Sequence, residues 1–470
     1  MTQYPQLRDF AGGRVHMIGI GGSSMSGLAK MLLDKGYTVT GSDRDNSSHA
    51  EDARKAGATV WIGHRAENVH GADLVVFTAA IPKDNPERVE AERLGIPMME
   101  RGELLGQLMK GAEPAIAVCG AHGKTTTTAM IALILVQCGK DPSIHIGERL
   151  DALGGSTRVG KGSGFLAEAC EFNRSFLHMH PTMAVVLNID ADHLDCYRDI
   201  EEIEETFGQF LHLLPENGVA IGKGTDLRIN RLFTSLPCRC VTFGMTDDCD
   251  WHPAAIEEDD EGHYSFVLMH KEQAVGKVHL RVPGAFNAEN ALAALAAASE
   301  AGCDMNDAIA AIGEFRGTHR RFEKTGELNG AEIFHDYGHN PTEMRNALSI
   351  ARKRCKGRLV AVMQPHTFSR VKALFDDYLT CTGVADTTIV TSICAAREKD
   401  PGDINSGMLV EGMREHGVDA YLTPSFDDAE AWLRENLKPG DLALTMGCGD
   451  INRLNDQIAQ HEQESHTLSR

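Results

Sequence analysis

The segment Gly120-Ala121-His122-Gly123-Lys124-Thr125-Thr126-Thr127-Thr128 constrains this chain more than any other. An apolar run of strand length, Ala115–Cys119, leads into it, and a long apolar stretch, Ala129–Val136, follows. Strand, glycine loop, helix is the order that aims backbone N–H groups and a helix N-terminus at an anion. The loop reads as a P-loop shortened by two residues, GxxGKT in place of GxxxxGKT. Gly120, Ala121, His122 and Gly123 would cradle phosphates. Lys124 would reach the β and γ oxygens, the Thr125 hydroxyl would ligate Mg²⁺, and Thr126 would join them in the first helical turn. The expected ligand is ATP.

A second glycine loop, Gly19-Ile20-Gly21-Gly22-Ser23-Ser24-Met25-Ser26-Gly27, also follows a strand and opens a helix. Asp43 ends the next strand. This is nearly the dinucleotide fingerprint, except that Ser24 stands where the third glycine belongs. The loop suits an NAD-dependent dehydrogenase as well as a binder of a nucleotide sugar. A dehydrogenase has no need of the triphosphate site.

Downstream of the ATP loop come Glu168-Ala169-Cys170-Glu171 and then Val185-Val186-Leu187-Asn188-Ile189-Asp190-Ala191-Asp192-His193. The second stretch is a buried strand running into acids and a histidine. Ligand groups gather at the carboxyl ends of strands in such sheets, so Glu168 and His193 are expected to serve a cation with Thr125. Cys170 and Cys196 are read as packing, because a thiol is a poor Mg²⁺ ligand.

The rest of the pattern is βαβα, which predicts α/β architecture with parallel, doubly wound sheets. Predicted strands include Val15–Ile18, Tyr37–Thr40, Leu74–Phe77, Leu359–Met363, Thr388–Thr391 and Leu442–Met446, with a helix over Ser26–Lys35. Gly111–Pro114 reads as a linker, and the polar tail from about Gln460 is expected to fray. The formal net charge of −21 excludes a general nucleic-acid binder, which needs excess Lys and Arg. No run approaches the ~18 apolar residues of a membrane span, and the N-terminus lacks a signal-peptide pattern. The 12 cysteines form no CxxC pair, and Cys119, Cys138, Cys381 and Cys394 look like small buried hydrophobes. A cytoplasmic protein is expected.

Further segments complete a set whose order matches a known family. They are ACEFNRSFL, LNIDADHLD, Pro283-Gly284-Ala285-Phe286-Asn287-Ala288-Glu289-Asn290 and Phe315-Arg316-Gly317-Thr318-His319-Arg320-Arg321-Phe322-Glu323. Asp336-Tyr337-Gly338-His339-Asn340-Pro341-Thr342, Gln364-Pro365-His366-Thr367-Phe368-Ser369-Arg370 and Ala396-Arg397-Glu398 follow. Over nearly the whole chain these resemble the Mur ligases, the ATP-dependent amide-forming enzymes of peptidoglycan synthesis. Within that family the GIGG form of the first loop points to the alanine-adding branch.

The resemblance implies three domains: a Rossmann-like UDP-substrate domain over 1–112, a central P-loop ATPase-like domain over 113–313 and a Rossmann-like amino-acid domain over 314–470. It implies UDP rather than NAD at the first loop, with UDP-N-acetylmuramic acid, L-alanine and ATP as substrates and two Mg²⁺ ions. The implied UDP-substrate residues are Gly19, Gly21, Gly22, Ser23, Ser24, Met25, Ser26, Asp43, His64, Thr78, Ala79 and Ile81. Asn287, Asn290, Arg321 and Asp336 join the ATP site. His339, His366 and Arg370 would orient the amino acid, and Lys124, Glu168, His193, His339 and Arg370 would carry catalysis. The protein is expected as a monomer or homodimer. Arg320 is read as a surface salt-bridge partner, His319 and His335 as structural, and Arg397 and Glu398 as a pair holding a loop. Four departures stand out. Ser24 replaces a glycine, and Asn340 and Thr367 stand where His and Arg are common. No lysine lies between Lys161 and Lys223, so the carbamylated lysine of several sister ligases is not expected.

Overall fold

A computed structural model describes residues 5–150, 153–190, 196–396 and 398–468, with side chains described to residue 464. Among the described residues the strands form three sheets. The first holds β1 (Arg14–Ile18), β2 (Thr38–Asp43), β3 (Thr59–Ile62), β4 (Leu74–Phe77) and β5 (Met98–Glu100), in the order β3-β2-β1-β4-β5 and all parallel. The order reverses at β1, so the loop after it opens at a topological switch point, where such sheets bind ligands.

The second sheet has ten strands. They are β6 (Ala115–Cys119), β7 (Ser143–Leu150), β8 (Gly155–Arg158), β9 (Phe165–Glu168), β10 (Met183–Val186), β11 (Val219–Lys223), β12 (Arg239–Phe243), β13 (Trp251–Glu258), β14 (His263–His270) and β15 (Gln273–Pro283). Their order is β15-β14-β13-β12-β11-β10-β6-β9-β7-β8. The third holds β16 (Glu323–Leu328), β17 (Ala331–Asp336), β18 (Leu359–Met363), β19 (Thr387–Val390), β20 (Ala420–Leu422) and β21 (Leu442–Met446), in the order β16-β17-β21-β18-β19-β20.

The chain separates into two compact units. One comprises Met1–Ile256, Ser265–Leu280 and Phe286–Phe315; the other comprises Glu257–Tyr264, Arg281–Ala285 and Arg316–Arg470. In the first, the helix Lys124–Gln137 is apolar on every side and buried through Ala129–Leu135, as a helix wrapped by its neighbours must be. Phe176 stacks on Phe210 at 4.6 Å and meets Phe207 edge-on at 5.3 Å. That cluster shares one core with Leu104, Leu108 and Met109.

Several expectations need correction. The first helix starts at Ser23, not Ser26, because Gly22 serves as its N-cap. The βαβα reading fails at β13–β15, which follow one another in chain and in sheet. Their signal is period two: Val278, Leu280 and Val282 are buried while Lys277, His279 and Arg281 are exposed. The polar tail continues as a helix, Asn452–Leu468. Arg434 bonds Glu462 at 2.7 Å and His461 reaches Glu430 at 2.8 Å, tying that helix to the one before it. Cys119 and Cys381 are buried as expected, but Cys138 and Cys394 are partly exposed. Cys138 is the C-cap of its helix, where the chain leaves the core.

Candidate active site

The P-loop is built as its sequence requires. Gly120 follows β6 with φ +140°, and Gly123 takes φ +83° as N-cap of the helix Lys124–Gln137. A Cβ on Gly123 would lie 2.6 Å from Asn290 Oδ1, so only glycine lets this loop close against the helix Ala285–Glu300. That approach brings Asn290, and Asn287 bonded to it at 3.2 Å, beside the phosphate cradle. Asn188, after β10, holds the loop from below. Its Oδ1 accepts from His122 N–H at 2.9 Å and its amide donates to His122 O at 3.0 Å. The His122 ring lies 3.2 Å from Asp190. Lys124 curls over its own loop, donating to Gly120 O at 2.5 Å and Ala121 O at 3.2 Å. It also pairs with Glu171 at 2.9 Å. Thr125 is buried in the first helical turn with Thr126 beside it.

Glu168 ends β9, which pairs with β6 so that Glu168 lies opposite Val118, two residues before Gly120. Its Oε1 accepts from Gly147 N–H at 2.8 Å. His193 lies outside the described residues, as does Arg397. Among the described residues no group of three or more His, Cys, Asp or Glu side chains is arranged to hold a metal. Mg²⁺ bound with a nucleotide takes few protein ligands and fills its shell with phosphate oxygens and water. A threonine hydroxyl and a strand-end carboxylate beside a glycine cradle fit that demand. Cys170 is half-buried, its thiol pushed up to about 11 mainly by desolvation and then by Glu171, in keeping with packing.

The first glycine loop is pinned from three sides. Ser42 O accepts from Gly19 N–H and Ile20 N–H at 2.8 and 3.1 Å. Asp43 Oδ2 accepts from Gly21 N–H at 2.8 Å, and Ser47 Oγ donates to Gly21 O at 2.8 Å. Asp43 therefore shapes the loop itself. The helix Ser23–Asp34 then begins, leaving its first N–H groups, at Ser23, Ser24 and Met25, without intrahelical acceptors. The Met25 side chain is buried in the core, and Ser26 Oγ donates back to Ser23 O at 3.0 Å. Thr78, Ala79 and Ile81 form a turn after β4, closed by Ile81 N–H to Thr78 O at 2.9 Å and held by Arg88 on Ile81 O at 2.9 Å.

His64 belongs to a buried cluster that sequence reading missed. Its Nδ1 is 3.0 Å from Ser42 Oγ and 3.2 Å from Glu87 Oε2. Glu87 is fully buried and accepts from Ser42 Oγ and Asn68 Nδ2, each at 2.5 Å. Burial pushes its carboxyl up, but the His16 ring 3.7 Å away and the bonds from Ser42 and Asn68 prevail and hold it at about 2. The one signal in the sequence was an acid following Asn85-Pro86, a helix start.

In the second unit Asp336 ends β17. Its carboxylate accepts from Phe322 N–H at 2.9 Å and Gly338 N–H at 2.7 Å, so it shapes the segment on either side. Burial raises its pKa and Arg321 opposes that rise. Arg320 is not a surface salt-bridge partner. It is half-buried, donating to His335 at 3.2 Å and to Gly447 O and Gly449 O at 3.2 and 3.0 Å. Arg320 and Arg321 both lie over the Tyr337 ring, at 4.7 and 4.8 Å. His335 is structural as expected. It is buried against Thr445 at 2.9 Å, with its pKa pushed down to about 3 by burial and by Arg320. His319 pairs with Glu323 at 3.3 Å.

His339, His366 and Arg370 do come together. The two rings are 6.0 Å apart, and Arg370 donates to His366 Nδ1 at 3.2 Å. His339 Nδ1 lies 3.3 Å from Glu343. Thr367 sits between His366 and Phe368 with φ +61°, a strained position for a β-branched residue. Backbone bonds from Thr367 N–H to Cys394 O and from Cys394 N–H to Pro365 O hold it there. Asn340 is explained locally. It caps the helix Pro341–Arg354, accepting from Glu343 N–H at 2.9 Å. Glu398 accepts from Ser369 N–H at 3.0 Å and from Ser369 Oγ, which fastens that loop; its expected pairing with Arg397 lies outside the described residues.

Comparison with known proteins adds an independent line. Residues 14–113 match the Mur ligase family catalytic domain, 118–298 the Mur ligase middle domain, and 320–449 the Mur ligase glutamate ligase domain. A UDP-N-acetylmuramate–L-alanine ligase of Acetivibrio thermocellus is 43% identical over 450 residues, covering 96% of each chain. The crystal structure of a UDP-N-acetylmuramate–alanine ligase from Thermotoga maritima superposes with a TM-score of 0.81 at 25% identity, over 96% of this chain and 100% of that one. A murein peptide ligase from Psychrobacter arcticus superposes with a TM-score of 0.73 at 24% identity over 95% and 98%, a likeness of fold alone.

Proposed function

The chain belongs to the Mur ligase family, and from that premise we infer that it joins L-alanine to the carboxylate of UDP-N-acetylmuramic acid, cleaving ATP to ADP and phosphate for peptidoglycan precursor synthesis. The observation that carries this reading is 43% identity running through 96% of both chains to a relative named for that reaction.

The chemistry follows from what each partner lacks. A carboxylate has no leaving group fit for an amine to displace. One oxygen of the muramyl carboxylate attacks the γ-phosphorus, the bond to the ADP oxygen breaks, and an acyl phosphate forms. The neutral amine of L-alanine then attacks the acyl carbon. The C–O bond to phosphate breaks, and the nitrogen loses a proton as the amide forms. Two anions meet in the first step, so positive charge is the main requirement.

We assign that charge first to Lys124, whose ammonium exchanges Glu171 for the β and γ phosphates. Bound magnesium would add charge between phosphate oxygens; Thr125 and Glu168 would hold one ion and His193 a second. Asn287 and Asn290 would read the adenine, and Arg321 and Asp336 would serve the nucleotide. Arg370 is the partner we assign to the amino-acid carboxylate, with His366 and His339 orienting it. We place the domain limits at 1–112, 113–313 and 314–470 and the protein in the cytoplasm; no described helix is long and apolar enough to cross a membrane.

The test is phosphate release with Mg-ATP and UDP-N-acetylmuramic acid, with and without L-alanine. Release that needs L-alanine, with a product heavier by one alanyl residue, is the expected result. Release that ignores L-alanine but appears with a preformed peptide would transfer the protein to a peptide-adding role. No release with any amine would overturn the catalytic assignments together.

A further inference from the structure

The first glycine loop carries no lysine or arginine between Gly19 and Gly27, yet its expected ligand contains a pyrophosphate. A cation lies beside it that no motif announced. Arg101 opens the helix Arg101–Met109 after β5, and its guanidinium donates to Ser24 Oγ at 3.2 Å. Among the described residues Ser24 is its one hydrogen-bond partner, and no carboxylate stands within ion-pair distance of it. A half-buried guanidinium has five N–H donors, and leaving most of them without an acceptor is costly unless an anion supplies one.

The protein invests structure in keeping Arg101 there. Ser24 Oγ is 2.8 Å from His145 Nε2, and His145 Nδ1 is 3.2 Å from Thr157 Oγ1. A guanidinium only donates, so Ser24 Oγ accepts from Arg101 and keeps its own proton to give. Turned to His145 Nε2, that proton completes an order in which Ser24 donates to Nε2 and His145 Nδ1–H donates to Thr157. That order needs a neutral imidazole. Burial first, and the Arg101 charge second, push the His145 pKa down to about 3. The fingerprint's third glycine would remove the hydroxyl on which this arrangement turns.

We propose that Arg101 binds the pyrophosphate of the UDP-sugar, with Ser24 as the positioning residue that holds its guanidinium at the N-terminus of the helix Ser23–Asp34. The helix offers N–H groups to the same anion, and Arg101 supplies the full charge that the loop lacks. The proposal rests on the ligase reading and deepens its substrate site.

Calorimetric binding of UDP, of UDP-N-acetylmuramic acid and of ATP to the full chain tests it. Arg101→Met should raise the Kd of UDP and of the UDP-sugar by similar factors, roughly 10- to 100-fold, with ATP binding moved far less. Arg101→Lys should recover part of that loss. Ser24→Ala should weaken UDP in the wild-type background and add nothing in the Arg101→Met background, because it acts through Arg101. In turnover the loss should fall on KM for the UDP-sugar rather than on kcat. Unchanged UDP binding in Arg101→Met overturns the proposal, as does weakening confined to UDP-N-acetylmuramic acid, which would put the guanidinium on the muramyl carboxylate. A Ser24→Ala effect that persists without Arg101 removes Ser24 as its anchor. A wild-type chain that binds neither UDP nor the UDP-sugar overturns the ligase reading itself, and this proposal with it.

Discussion

Gly27→Ala should behave contrary to helix propensity, and the structure says by how much. Gly27 lies inside the helix Ser23–Asp34 with ordinary helical geometry. On an exposed helix, replacing such a glycine by alanine stabilises by roughly 0.5–1 kcal/mol. Here the added Cβ would lie 2.0 Å from Thr157 Oγ1, 3.0 Å from Thr157 Cβ and 3.3 Å from His145 Nδ1. Both neighbours stand on the β7–β8 hairpin, so the methyl group must drive helix and hairpin apart. Overpacking of this kind costs about 1–3 kcal/mol. The midpoints of the two ranges leave a net loss of about 1 kcal/mol, which lowers the melting midpoint of a unit this size by roughly 1.5–2 °C. The assay is a thermal melt of the full chain, compared by midpoint because several domains need not unfold together. The double mutant makes the reasoning strict. Thr157→Ala removes the 2.0 Å contact and leaves the 3.0 Å approach to Cβ, so Gly27→Ala should cost clearly less in that background than in wild type. The coupling should exceed the ~0.3–0.5 kcal/mol typical of independent sites. A Gly27→Ala chain that melts higher than wild type, with no coupling to Thr157, would refute the close approach.

Three further outcomes are expected. Lys124→Ala should lower ATP turnover by at least roughly 100-fold while UDP-sugar binding, read by calorimetry, stays near wild type; equal loss of both would join the two sites into one. Glu168→Ala should raise the Mg²⁺ concentration needed for half-maximal phosphate release, and an unchanged Mg²⁺ profile would remove Glu168 from the metal shell. Glu87, held at about 2 against an ordinary 4.5, stabilises the fold above pH 4.5, and that contribution, of order 3 kcal/mol, is lost as pH falls towards 2. Acid titration of Glu87→Gln should therefore show a flatter fall in melting midpoint across pH 4.5 to 2 than wild type, and parallel curves would refute the linkage.

Much of the fold lay open to a linear reading. β4, β6, β18 and β21 match their apolar runs to the residue, because a buried parallel strand is a short apolar segment bounded by polar turns. The β13–β15 run was missed because its alternation is diluted by partly exposed positions such as Val275 and Ser265. Asp43 was legible as a strand-end acid, and Asp336, known only from the family resemblance, also ends a strand; the observed bonds of both go to backbone N–H groups of their own loops. A strand-end acid does not reveal whether it faces ligand or loop until the turn is built.

The sequence by itself determined the two glycine loops, the strands that feed them and the family to which they belong. Each of these is local: a phosphate cradle is a contiguous strand, turn and helix start, and its residues need nothing from elsewhere to be recognised. The tertiary structure alone decided the partners of those loops. Lys124 meets Glu171 across 47 residues of chain, Arg101 meets Ser24 across 77, and His145 meets Ser24 across 121. Such contacts leave no periodicity and no spacing rule behind, because they exist only where separate elements pack. That packing also sets charge states: burial keeps His145 neutral, and bonds gathered from separate elements keep Glu87 charged against its burial.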